Sequence, residues 1–159
     1  MQNKKLKKYL IRFVSDFFYV GNVPFAPGTF GTAAAVLPVY VLSLFFYWKI
    51  CAFFLLIVCF FAGRYASKAI ENEYGVKDPS HIVIDEAVGF YTGMLFLSAF
   101  NMKGIIALFL LFRFFDITKL FPIKYVEKYG NGWGVMLDDI IAGIYSGFVV
   151  LLLKFGGVL

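Results

Sequence analysis

The chain has 159 residues, 61% of them hydrophobic, 21% aromatic and only 16% charged, with a mean hydropathy of +0.80. Soluble domains run nearer to roughly 45–50% apolar and about 25% charged, so the composition points to a membrane protein, and the length predicts one domain over residues 1–159. The net charge is +5, but Lys4, Lys5, Lys7, Lys8 and Arg12 crowd the first twelve residues without an aromatic-interleaved basic stripe, which argues against nucleic acid and suits an anionic lipid leaflet.

The stretch that follows, Ile11–Val20, is interrupted by Asp16 and ends without a small-residue cleavage site. It predicts an interfacial amphipathic helix that stays on the chain rather than a signal peptide. Gly21–Thr32 comes next, rich in glycine and proline, and opens the first apolar span. Its glycines let backbone N–H groups approach an anion, and a helix N-terminus favours one, so Asn22, Pro27, Gly28, Thr29, Gly31 and Thr32 are candidates to hold a phosphate; a plain turn capped by threonine is the alternative. No Lys-Ser/Thr pair follows the glycines, so this is not a Walker loop.

Five apolar stretches approach the 17–25 residues that a helix needs to cross about 30 Å of hydrocarbon. They run over about Phe30–Tyr47, Ile50–Ala66, Ile82–Phe100, Ile105–Phe121 and Gly134–Leu153. The expected fold is an all-α bundle of about five spanning helices plus the N-terminal interfacial helix. Pro38 is placed to kink the first span, and Cys51 and Cys59, eight apart in the second, read as apolar fillers. The second span is expected to continue as a polar helix and stop at Gly75, Ser80 to cap the third, and Lys124–Gly132 to form a loop ended by Asn131-Gly132. Gly89 with Gly93, and Gly143 with Gly147, read as close-packing faces.

With the N-terminus inside, the inside loops carry Arg64, Lys68, Lys77, Lys124 and Lys128, whereas the outside turns carry only Lys49 and Lys103 and the last span ends outside at Lys154. On that topology Asp85 and Glu86, Asp116, and Asp138 and Asp139 fall on three helices at a similar depth near the inner face. Each carboxylate costs up to about 2.5–3.5 kcal/mol at a helix centre, less toward the interface. Arg113 and Lys119 flank Asp116 at three-residue spacing, but two cations cannot neutralise five acids. A divalent cation is the natural remainder, and oxygen ligands favour magnesium or manganese over zinc. The alternative from another class is a small transporter or channel component moving protons or cations, which wants its acids distributed along a path.

Four ordered signatures resemble the phosphatidylglycerophosphatase A family, over nearly the whole chain. They are the Pro-Gly-Thr loop at Ala26–Gly31, Ile84-Asp85-Glu86-Ala87-Val88-Gly89, Phe112–Lys119 with Arg113, Asp116 and Lys119, and Gly134–Asp139 followed by Ala142-Gly143. Leu120 departs from the family's usual proline, and Pro122 is the residue left to end that helix. The resemblance implies magnesium-dependent hydrolysis of phosphatidylglycerophosphate to phosphatidylglycerol and phosphate at the bacterial cytoplasmic (inner) membrane, multi-pass with the active site facing the cytoplasm. In that reading Glu86, Asp116, Asp138 and Asp139 bind Mg²⁺, and Asp85 is a further ligand or the base that orients water. Arg113 stabilises phosphoryl charge, and Lys119 steers the headgroup. Phosphatidylglycerophosphate and the bilayer are the implied partners, and a homo-oligomer is compatible with the chain. Other phosphatase chemistries fit worse: the chain has one histidine, His81, and no Cys-x5-Arg motif.

Overall fold

The computed structural model describes residues 2–76 and 78–159, with side chains from residue 5 onward; Lys77 and the side chain of Lys4, both counted above among the inner-face cations, lie outside the described residues. Among the described residues the chain forms seven α-helices and no strand. They are α1 (Gln2–Ser15), α2 (Pro27–Ser43), α3 (Trp48–Tyr74), α4 (Ile84–Met94), α5 (Met102–Thr118), α6 (Ile123–Val126) and α7 (Trp133–Phe155), with a 3-10 turn at Val20–Asn22 between the first two.

The all-helical class matches the expectation, but the lengths do not give five clear spans. α3 and α7, at 27 and 23 residues, are long and apolar enough to cross a membrane. α2 and α5 have 17 residues each, about 25 Å at 1.5 Å per residue. The third apolar stretch becomes α4, whose 11 residues span only about 16 Å. Every α4 residue except Glu86 is buried, so its continuous apolar run serves packing on all sides rather than contact with lipid.

α4 is enclosed by α2, α3, α5 and α7. α7 comes closest because glycines face each other: a Cβ on Gly143 would lie 2.1 Å from the Gly89 carbonyl oxygen, and one on Gly147 would lie 3.0 Å from that of Gly93. This is the small-xxx-small packing the spacing predicts, with backbone against backbone. Around this centre the outer faces remain apolar: Leu37 on α2, Phe54 and Val58 on α3, Leu110 and Phe114 on α5, and Phe148 and Leu152 on α7 are exposed. Only 28% of the most apolar stretch of α3 is buried, unlike the core helix of a water-soluble domain.

Several boundaries follow local chemistry. Gly75 ends α3 in the left-handed conformation, as expected. Asn131 and Gly132, at φ 62° and 71°, turn the chain into α7. Pro38 sits inside α2, which continues through it. Three expectations need correction. Ser80 does not cap α4: the N-cap is Val83, whose N–H donates to the Ser15 carbonyl at 2.9 Å, so the end of α1 fixes this start. The expected loop from Lys124 contains the short α6, headed by Pro122. α5 ends not at Pro122 but at Lys119, whose φ of 45° breaks the helix three residues earlier.

Candidate active site

The N-termini of α2, α4 and α7 and the C-terminus of α5 converge on one cleft of ≈ 350 Å³. Asp85 and Glu86 come from the first turn of α4, Arg113, Asp116 and Lys119 from the end of α5, and Asp138 and Asp139 from the second turn of α7. The five acids that the sequence places at one depth therefore do line one cavity. They gather at one end of the bundle instead of along a path through it.

Within the cleft they divide. Asp85, Glu86 and Asp139 offer ligand atoms that all lie within 4.8 Å of one another. Asp85 and Asp139 are 6% and 3% exposed. One oxygen on each of the three (Oδ1 of Asp85, Oε2 of Glu86 and Oδ2 of Asp139) is buried with no hydrogen-bond partner. Buried carboxylate oxygens without donors are costly, and a hard divalent cation satisfies several at once. This donor set therefore fits magnesium or manganese.

Asp116 and Asp138 face protein cations. Arg113 Nη1 lies 2.7 Å from Asp116 Oδ2 and 3.8 Å from Glu86 Oε1. Lys119 donates to Asp138 Oδ2 at 2.6 Å and to Glu127 Oε1 at 2.9 Å, while the other oxygen of Asp138 accepts the Asp139 backbone N–H at 3.0 Å. The i,i+3 spacing explains the Arg113–Asp116 pair. Lys119 leaves the helix at its left-handed cap, which accounts for its reach to α6 and α7 rather than to Asp116.

The glycine-proline loop contributes less than expected. Pro27, Gly28 and Thr29 line the cleft at the N-terminus of α2, with Ala26 as N-cap at φ 46°. Gly28 is the close approach: a Cβ there would lie 2.1 Å from Glu86 Oε1 and 3.0 Å from both terminal nitrogens of Arg113. Three of the expected phosphate contacts lie elsewhere. Asn22 sits in the 3-10 turn and does not line the cleft. Gly31 packs against Val83, where a Cβ would come within 2.8 Å of its side chain. Thr32 is fully buried and spends its hydroxyl on the Gly28 carbonyl at 2.8 Å.

Asp78 and Glu127 were missed. Asp78 lines the cleft from the loop before α4; desolvation there pushes its carboxyl above the ordinary aspartate range, against the pull of Lys119 and with Glu127 and Asp116 reinforcing. Neither acid lies in an apolar span, where a carboxylate stands out against its neighbours. Their place in the inner-face loops was the available signal.

A family model described as Phosphatidylglycerophosphatase A matches residues 13–154. The chain is 39% identical to a Phosphatidylglycerophosphatase A of Haemophilus influenzae over 97% of both chains. It is 35% identical to a Putative phosphatidylinositol-3-phosphatase of Bacteroides thetaiotaomicron, over 89% of this chain and 92% of that one. It is 32% identical to a Phosphatidylglycerophosphatase A of Escherichia coli K12, over 81% and 74%. No solved structure matches the chain significantly.

Proposed function

This chain belongs to the phosphatidylglycerophosphatase A family, and on that premise we propose that it hydrolyses the phosphate monoester of phosphatidylglycerophosphate in a magnesium-dependent reaction, giving phosphatidylglycerol and phosphate. The observation that carries the reading is the meeting of three carboxylates, each with one buried oxygen lacking a hydrogen-bond partner, with Arg113 and the α2 N-terminus in one cleft.

Asp85, Glu86 and Asp139 would hold the ion. When bound, it supplies Lewis-acid polarisation of the phosphoryl group and offsets its negative charge. The α2 N-terminus at Gly28 and the Arg113 guanidinium receive the phosphate, and the missing Cβ at Gly28 leaves room for its oxygens beside Glu86. Asp116 holds Arg113 in place from the same helix, so the cation points at the cleft without rearrangement. Asp138 and Glu127 hold Lys119 protonated at the cleft, where its ammonium can donate to a headgroup oxygen. Hydrolysis forms a bond from water oxygen to phosphorus and breaks the bond to the glycerol oxygen, which leaves with a proton. An acid of this cleft outside the ion's own ligands takes the proton of the attacking water; Asp78, which lines the cleft with a carboxyl biased toward holding a proton, suits that role.

The membrane setting follows from the apolar exterior. The exposed faces of α2, α3, α5 and α7 meet lipid, α3 and α7 cross the bilayer, and α2 and α5 complete the bundle around the buried α4. Lys119, Lys124 and Lys128 cluster at the cleft end, while Lys49, Lys103 and Lys154 mark the opposite ends of α3, α5 and α7. By the positive-inside rule the cleft opens to the cytoplasm at the bacterial inner membrane.

Phosphate release by detergent-purified protein tests this, with phosphatidylglycerophosphate and phosphatidylinositol 3-phosphate each supplied with and without magnesium. The expected result is magnesium-dependent release, faster from phosphatidylglycerophosphate. Release only from the inositol lipid would redirect the substrate, and proton flux in vesicles without phosphatase activity would sink the enzyme reading.

A further inference from the structure

A second cationic site lies outside the cleft, where α1 crosses α3. Lys7, Arg64 and Lys68, with Asn72, line a pocket of ≈ 320 Å³. Through Lys7, Ile11 and Tyr65 it continues into an apolar groove of ≈ 310 Å³ walled by Leu10, Val14 and Ala62. Through Val14 and Ala62 that groove runs on to Phe17, Phe18 and Val58.

The charges in this pocket are not balanced by protein. Lys8 and Arg12 are paired with Glu73, Arg113 with Asp116, and Lys119 with Glu127 and Asp138. Among the described residues, no carboxylate comes within ion-pair distance of Lys7, Arg64 or Lys68. Lys7 lies over the Tyr65 ring at 5.8 Å and Arg64 over Trp133 at 4.0 Å, so aromatic faces hold both cations with their charge still available. The polarity of the seam changes along its length as a phospholipid's does. From Lys68 to Val58 is ten residues of helix, on the order of 15 Å, which is about one leaflet of a 30 Å hydrocarbon layer.

We propose that Lys7, Arg64 and Lys68 bind the headgroup phosphate of one anionic phospholipid, whose acyl chain lies in the apolar seam between α1 and α3. The lipid fills the gap between the two helices and seats α1 against the bundle. Since the Ser15 carbonyl at the end of α1 receives the Val83 N–H at the start of α4, that seat also supports the helix bearing Asp85 and Glu86. This site does not depend on which lipid phosphate the cleft hydrolyses.

Trp133 provides the readout, because it stacks on Arg64 and the chain's other tryptophan, Trp48, lies at the start of α3, the opposite end of that helix from Arg64. The full chain carrying Trp48→Phe is purified in detergent and titrated with phosphatidylglycerol brominated near its carbonyl ends, with brominated phosphatidylcholine and with inorganic phosphate as competitor. Saturable quenching by phosphatidylglycerol is expected, weakened roughly tenfold or more by Lys7→Gln with Lys68→Gln, since each basic residue contributes about fivefold. Ala62→Trp on a Trp133-independent readout, native mass spectrometry of retained lipid, should reduce binding by filling the groove while all three cations remain. Equal quenching by phosphatidylcholine, unchanged affinity in the lysine variant, or full displacement by millimolar inorganic phosphate would each overturn the assignment.

Discussion

Asp138 and Asp139 are neighbours in sequence, yet they belong to different halves of the cleft. Asp138 turns toward Lys119 and has both oxygens engaged by hydrogen bonds, whereas Asp139 turns toward α4 and joins Asp85 and Glu86 with an oxygen left unpartnered. One step along a helix rotates a side chain by about 100°, and here that step separates a carboxylate paired with Lys119 from one with an unpartnered oxygen. Asp116 stands between the halves: Arg113 occupies one of its oxygens, and its carboxyl also lies beside Asp139. Counting acids at a common depth identifies the cleft, but what each acid faces decides its work.

Substitutions that treat the two halves differently can break this comparison. The largest effect is expected from Asp139→Asn: phosphate release falls by more than about a hundredfold, and magnesium binding measured by calorimetry is lost with it. Chelating divalent ions from the native protein should match that loss, with recovery on adding magnesium or manganese. Gly28→Ala comes next. Its Cβ would collide with Glu86 Oε1, and a displacement of about 1 Å costs on the order of a hundredfold in kcat, with the melting temperature nearly unchanged. Asp138→Asn should preserve magnesium affinity. It frees Lys119 from one of two partners, lowering stability by about 1–3 kcal/mol in denaturant titrations and raising KM more than it lowers kcat. Loss of magnesium binding in this variant would erase the distinction between the two halves. Asn22→Ala should be the mildest, with steady-state rates within about twofold of native because the residue does not line the cleft.

The sequence made the depth of the acids legible because hydropathy marks where each span begins, and Asp85, Glu86, Asp116, Asp138 and Asp139 all fall near such an edge. The close approach of α4 and α7 was legible for a similarly local reason, since Gly89, Gly93, Gly143 and Gly147 repeat at one helical turn. Hydropathy does not distinguish lipid from protein as the apolar neighbour, so the buried 11-residue α4 was mistaken for a span of Ile82–Phe100. Nor does spacing reveal a left-handed exit from a helix. Lys119 was expected beside Asp116 and is found with Asp138 and Glu127 because its backbone turns away. In the glycine loop, composition marked the whole segment, but only Gly28 pairs a missing Cβ with the acids and Arg113; Gly31 spends its missing Cβ on Val83.

The contact between α4 and α7 also governs how rigidly the candidate ligands are spaced. A Cβ on Gly89 would lie 2.6 Å from the carbonyl oxygen of Asp139 itself. The main chain that carries one ligand thus rests directly on the helix that carries the other two, with no side chain between them to change rotamer. The jaw formed by Asp139 against Asp85 and Glu86 is therefore gauged by peptide groups, and a larger ion would have to be met by bending the carboxylates rather than by parting the helices.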